Sequence, residues 1–251
     1  MVKNELKQEF DRAGYVVSRN FLLADDLLEL REELQRYIST VVPTLPQTHR
    51  FYDDANRPAT LKQLQHMDVD PFFRDYLHQP SWKQFAEELL GEEANASGCE
   101  WFNKPPGTSQ ATPPHQDNYY FNLSPPSVVT LWLALDDIDE ENGCLRYLAG
   151  SHMAGRRAHG RSGVLGFSQA LTEYGPAESA ADCPIILRAN DLVAHHGWTI
   201  HRADANQSRA RNRRSFAMVF RGVSCRIDQE GQRRYEAGLA EQHKELGLHA
   251  R

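Results

Sequence analysis

From about residue 97 to about residue 225 the chain is a succession of short β-type runs separated by Pro, Gly and Asn, over 99–103, 115–121, 128–135, 145–148, 185–187, 191–195, 199–203 and 215–222. Runs this short and this frequent bury their apolar side only by facing one another across a sandwich or barrel. The expected fold is therefore mainly β with flanking α-helices: a jelly roll, or cupin-like double-stranded β-helix, over about 97–225. A mostly helical part of about 1–95 packs outside it. There, Leu6 and Phe10 stand among charges before the helix stop Gly14 and a short apolar strand at Tyr15, Val16 and Val17. Asp25 or Asp26 is placed to cap a second helix whose Leu27, Leu28, Leu30, Leu34 and Ile38 recur at helical spacing. Residues 42–60 read as a loop, and a further helix around 83–90 stops at Gly91.

A chain of 251 residues is long enough for one sizeable core, and a single domain over 1–251 is expected. The net charge of −6 gives a nucleic-acid partner no electrostatic support. The cysteines Cys99, Cys144, Cys183 and Cys225 are irregularly spaced without a C-x-x-C pair, which points to reduced thiols and a cytoplasmic protein. No apolar run has the length of a signal peptide or membrane span, so neither export nor a membrane partner is expected. Nothing in the sequence sets an oligomeric state.

Within the β-rich part lies Thr112-Pro113-Pro114-His115-Gln116-Asp117, and far downstream Trp198-Thr199-Ile200-His201-Arg202-Ala203. A His-x-Asp triplet alone is common. With a distant imidazole it becomes the two-histidine, one-carboxylate face that binds a mononuclear non-haem iron and leaves coordination positions open. On a strand, residues i and i+2 share a face, so His115 and Asp117 are expected to project inward together while Gln116 points away. For the third ligand, His195 and His196 compete with His201 on spacing alone.

The run from His115 through Asn118, Tyr119, Tyr120 and Phe121 resembles the phytanoyl-CoA dioxygenase family. So do Val129 to Asp137, Asn142-Gly143-Cys144-Leu145, Gly150-Ser151-His152, and His201 followed by Asn206, Ser208 and Arg213-Arg214. The N-terminal stretch Phe10 to Val17 fits too, so the likeness covers nearly the whole chain. The resemblance implies a 2-oxoglutarate-dependent dioxygenase with Fe(II), 2-oxoglutarate and O2. His115, Asp117 and His201 would be the catalytic metal ligands, and Arg213 would grip the distal carboxylate of the cosubstrate. A guanidinium fork suits that task because it meets a planar carboxylate through two parallel hydrogen bonds. The same resemblance implies Lys104 and Trp132 in the cosubstrate pocket, with Asn206 and Ser208 at a neighbouring polar turn. The segment 209–212 looks one residue long against the family pattern, which leaves Arg214 as a rival clamp and Arg211 behind it, since a one-residue shift on a strand exchanges its faces. Ala149 and Asn190 stand where the family often has proline and glycine.

Because Asp117 retains the carboxylate ligand, hydroxylation with release of succinate and CO2 is the expected outcome. Residues 153–182 carry Arg156, Arg157 and Arg161 among glycines and suit either a mobile lid or an inert surface loop. Those arginines suggest a small polar, anionic metabolite such as an organic acid, amino acid or phosphonate, with Tyr119, Tyr120 and Trp198 as possible pocket walls. The alternatives are an acyl-CoA hydroxylase of the same chemistry, a non-catalytic cupin-like metal- or ligand-binding protein, and a hydrolase using a mononuclear metal.

Overall fold

The computed structural model describes residues 3–107, 110–164 and 166–245. Two antiparallel sheets face each other. The larger has seven strands, in spatial order Tyr15–Ser18, Leu192–His196, Val128–Ala134, Arg213–Gly222, Ala94–Lys104, Leu61–Leu64 and Arg50–Tyr52. The smaller has four, ordered Cys183–Ile185, Leu145–Tyr147, His201–Ala203 and Thr112–His115. This is the expected jelly roll, with longer strands at Ala94–Lys104 and Arg213–Gly222 than the sequence suggested.

Alternation along the central strands sorts the residues into two layers. Leu131, Leu133, Phe216, Met218 and Phe220 point outward and join the cluster made with Leu30, Leu34, Tyr37, Trp82 and Leu89 of the helical part. Trp132, Ala134, Val193 and Ala217 point inward and meet Leu145, Tyr147 and Ala203 of the opposite sheet. At about 25 cal/mol per Å² of buried apolar area, the outer layer holds helices and sheet together while the inner one leaves room for a site.

The helices Lys3–Ala13, Ala24–Arg36 and Pro80–Leu90 occupy the expected places. Capping of the second differs: Leu23 is its N-cap and makes no side-chain cap bond, while Asp25 and Asp26 lie in the first turn, where they favour the positive end of the helix dipole. Gly91 ends the third helix in the left-handed region.

Three stretches depart from expectation. The 42–60 loop contains the edge strand Arg50–Tyr52. The 115–121 run is a strand only to His115, then a helical turn Asn118–Phe121. Residues 153–182, which carried few strand signals, form the hairpin His159–Val164 with Phe167–Leu171 and the helix Pro176–Ala181. A C-terminal helix, Gln229–Glu245, closes the described chain. Among the described residues, no helix is long and apolar enough to cross a membrane.

Candidate metal and cosubstrate site

His201 sits directly opposite His115 in the register of the smaller sheet, which brings their rings to 4.2 Å between centroids. Asp117 joins them by a route other than strand alternation. The strand ends at His115, and Asp117 takes right-handed helical angles (φ −61°, ψ −39°) that swing its carboxylate back toward the pair. Gln116 turns away from the pair, as expected, and is fully buried, with Nε2 donating to Gly155 O and Trp198 O at 2.8 Å each. Ligand atoms of His115, Asp117 and His201 lie within 4.8 Å of one another, and among the described residues no other group of His, Cys, Asp and Glu forms such a cluster.

The surroundings set which atoms face the centre. Nδ1 of His115 donates to Pro113 O at 2.8 Å and Nδ1 of His201 to Thr199 O at 3.1 Å. A carbonyl only accepts, so in the neutral tautomer of each ring Nε2 keeps its lone pair, 3.4 Å and 3.5 Å from Asp117 Oδ1. Asp117 Oδ2 accepts from Thr130 Oγ1 at 2.6 Å and from His195 Nε2 at 2.9 Å. In the neutral tautomer of His195, Nδ1 then accepts from the hydroxyl of Tyr147 at 2.8 Å.

Electrostatics agree with this arrangement. Burial would push the Asp117 carboxyl up, but His201, His115 and His195 together hold it well below its ordinary range. Burial, reinforced by His115 and His195, keeps His201 neutral. A first-row divalent metal takes imidazole nitrogens and an ionised carboxylate oxygen as donors, and His115, His201 and Asp117 fit an iron ion. His195 is thus a support of the ligand carboxylate, and His196 lies away from the cluster, against Phe10 and His152.

Arg213 and Arg214 part company on their strand. Arg213, Ser215, Ala217 and Val219 face inward, and Arg213 is 4% exposed, with its guanidinium 5.4 Å from the centre of the Trp132 ring. Its Nε has no hydrogen-bond partner, and among the described residues no carboxylate pairs with it. Burial pushes its pKa down to about 10. An unpaired buried cation is costly unless an anion arrives, which is the condition a cosubstrate carboxylate would meet. Arg214 faces out and holds Asp136 in a two-pronged pair at 2.7 and 2.9 Å, and Arg211 pairs with Asp139 and Glu141, so neither rival reaches the cavity.

Lys104, register partner of Arg213, is buried beside it in a small adjoining recess, where its ammonium donates to Gln110 O at 2.8 Å. Burial, then Arg213 and Lys62, lowers its pKa. Asn206 and Ser208, implied at a polar turn beside the cosubstrate pocket, bond to backbone. Asn206 Nδ2 donates to Lys104 O and Arg211 O, its Oδ1 accepts from Ser208 N, and the Ser208 hydroxyl accepts from Arg211 N. They fold the 206–211 loop that delivers Arg213 facing inward.

The cluster and Arg213 open into one cavity of about 420 Å³. Trp132 and Tyr120 line it as expected, whereas Tyr119 and Trp198 do not. The arginines of 153–182 do not line it either. Arg156 lies over the Tyr119 ring at 4.7 Å, Arg157 pairs with Glu178, and Arg161 pairs with Glu241 and Glu245 of the C-terminal helix at 2.9 Å each. From the hairpin it is Gly166, Phe167 and Ser168 that reach the cavity, and from the C-terminal helix Tyr235, Leu239 and Gln242. Sequence reading missed Thr130, Glu100 and this helix. Thr130 shares strand parity with Trp132, Glu100 shares it with Lys104, and Tyr235, Leu239 and Gln242 recur at helical spacing.

The phytanoyl-CoA dioxygenase (PhyH) family matches residues 10–215. Among curated relatives, phytanoyl-CoA dioxygenase of Arabidopsis thaliana is 26% identical over 86% of this chain and 88% of its own length. The peroxisomal enzyme of Bos taurus is 25% identical over 90% and 71%. Among solved structures, the epimerase SnoN, in complex with Fe3+, alpha ketoglutarate and nogalamycin RO, superposes with a TM-score of 0.73 at 23% identity, covering 93% of this chain and 88% of its own. AviO1 from Streptomyces viridochromogenes Tue57 gives 0.69 at 19%, over 89% and 96%, so these two likenesses speak for the fold. The chain belongs to the phytanoyl-CoA dioxygenase family and is a 2-oxoglutarate-dependent dioxygenase with iron and 2-oxoglutarate as its cofactors.

Proposed function

We propose that His115, Asp117 and His201 hold the iron, that Arg213 grips the distal carboxylate of 2-oxoglutarate, and that the enzyme hydroxylates a small molecule admitted to the adjoining cavity. The observation that carries this reading is the buried Arg213, unpaired at Nε, opening into the same cavity as the three clustered ligands. A protein that only bound metal would have no use for an uncompensated guanidinium there.

Bound iron and 2-oxoglutarate supply the oxidising power for O2-dependent attack on a substrate, with succinate and CO2 released. The chain supplies the rest. Thr130 and His195 fix Asp117 so that one oxygen is left for the metal, and the carbonyls of Pro113 and Thr199 orient the two imidazoles. Trp132 packs against the guanidinium of Arg213 and limits its rotamers, while Phe102, Phe167 and Leu145 line the cavity with apolar surface. Retention of Asp117 as a ligand favours hydroxylation, and residues 1–251 act as one catalytic unit. The four free cysteines suit a reducing compartment such as the cytoplasm.

The expectation of an anionic substrate loses its support, because Arg156, Arg157 and Arg161 are engaged elsewhere. A small, uncharged or cationic polar molecule fits the cavity better. Anaerobic titration of the Fe(II)-loaded protein with 2-oxoglutarate tests the assignment. A saturable visible charge-transfer band is expected for wild type and its loss at the same concentrations for Arg213→Ala. An unchanged band in that variant would refute the clamp.

A further inference from the structure

Among the described residues, the Asp, Glu, Lys and Arg side chains lining the cavity are Asp117, Arg213 and Glu100. Asp117 and Arg213 have tasks in the reading above, but Glu100 has none. It stands on the inner face of Ala94–Lys104, opposite Ala217, which in turn lies opposite Trp132. Its carboxylate is thus placed across a small alanine from the cosubstrate side of the cavity. Its partner is the amide of Gln63, which donates to Oε2 at 3.2 Å, and among the described residues no cation pairs with it. Gln63 is itself 2% exposed, and its Oε1 has no partner. Phe51, Phe102, Phe167, Tyr120 and Tyr235 supply aromatic walls to the same cavity.

We propose that Glu100 is a specificity-determining residue and that the cavity takes a substrate carrying a protonated amine, its ammonium paired with the Glu100 carboxylate. The inference rests on the oxygenase reading for its charge balance. Among the groups lining the cavity, the doubly charged cosubstrate offsets a divalent metal and Arg213 offsets Asp117, which leaves Glu100 as the lining carboxyl without a charged partner, while the Lys104 ammonium lies in the adjoining recess on Gln110 O. A buried carboxylate in mostly apolar surroundings is costly alone and much less so beside a cation. Aromatic faces around it attract the same ligand through their quadrupoles. Burial pushes the Glu100 carboxyl up to about 7, with Gln63 pulling it down and Asp117 adding to the rise. An arriving ammonium would restore its ionisation, whereas an anionic substrate would meet Glu100 and Asp117 without a free arginine.

The test uses benzylamine, benzyl alcohol and benzoate, three probes of one skeleton and different charge, titrated calorimetrically into oxygen-free, Fe(II)-loaded protein with and without 2-oxoglutarate. Benzylamine should bind at least tenfold more tightly than either of the others, E100Q should lose that preference, and E100D should keep part of it. Equal or tighter binding of benzoate or benzyl alcohol overturns the proposal. So does an unchanged preference in E100Q, or loss of the preference in E100D as complete as in E100Q. Failure of 2-oxoglutarate to bind would sink the oxygenase reading instead, because the amine preference in its absence reports on Glu100 alone.

Discussion

His195 Nε2 lies 2.9 Å from Oδ2 of Asp117, and that contact turns the other carboxylate oxygen toward His115 and His201. Thr130 holds the same Oδ2 from the neighbouring strand, so one oxygen is spent on orientation and one is kept for the metal. Thr130→Val removes a donor while keeping the shape. It should weaken Fe(II) binding by about 10–100-fold, the usual cost of losing a partner of a metal ligand. Fe(II) titration under nitrogen measures this, and wild-type affinity in the variant would mean that His195 suffices.

The inward and outward faces of one strand separate Arg213 from Arg214. Arg213→Ala should therefore weaken 2-oxoglutarate binding by about 100-fold or more, as expected for two charge-assisted hydrogen bonds at roughly 1.5–3 kcal/mol each. Arg213→Lys should recover only part, because an ammonium lacks the fork. Arg214→Ala breaks a half-exposed pair with Asp136 and should change 2-oxoglutarate affinity less than twofold. Binding isotherms for the three variants decide it, and a larger loss at Arg214 would reverse the assignment.

How much of this was legible in the sequence depended on whether the information was local. Parity along 128–135 and 215–222 carries the two layers of the barrel, and the strand segments recognised there are real. The Tyr119-Tyr120-Phe121 run has strand propensity, yet it turns helical because Asn118 N donates to Gly197 O and the Asn118 side chain brackets Leu123. Tertiary contacts outweigh propensity there. The choice among His195, His196 and His201 depended on which histidine faces His115 across two strands, which spacing does not encode and the family likeness supplied. The partners of Arg157 and Arg161 were illegible for a related reason: Glu178, Glu241 and Glu245 lie up to 84 residues away. Asn190 stands where glycine is common at a φ of 74°, a left-handed angle that asparagine adopts more readily than other side-chain-bearing residues.

Gly14 couples the first helix to the metal-binding loop. Its φ is +80°, a Cβ built on it would lie 2.5 Å from both His152 Nδ1 and Thr199 Oγ1, and its carbonyl accepts from Thr199 Oγ1 at 2.7 Å. Gly14→Ala should cost about 2–4 kcal/mol, combining left-handed strain with displacement of packed neighbours. Because Thr199 O also orients His201, the variant should bind Fe(II) less tightly as well. Urea denaturation checks the first claim, and a loss below about 1 kcal/mol would show that the turn relaxes freely.

His159 ties the hairpin to the metal-bearing turn. Its Nδ1 donates to Arg157 O at 2.9 Å, and its Nε2 accepts from Gln116 N at 3.1 Å, so only the neutral ring satisfies both bonds. Burial, helped by His115, Arg156 and Arg157 and opposed by the bond to Arg157 O, lowers its pKa to about 4. The unfolded chain titrates near 6.5 and so binds more protons than the folded one between about pH 4 and 6.5. Stability from this residue is therefore complete above about pH 6.5 and falls as the pH drops toward 4, by about 1–2 kcal/mol once partial exposure is allowed for. His196, also lowered to about 4, first by burial and then by His152 and His195, adds to the slope in the same direction. Replacing His159 by Gln keeps an acceptor for Gln116 N but removes the titration. The loss of stability between pH 7 and pH 5, measured by urea denaturation, should be smaller in His159→Gln than in wild type. An identical loss in both would show that His159 is not the group that titrates.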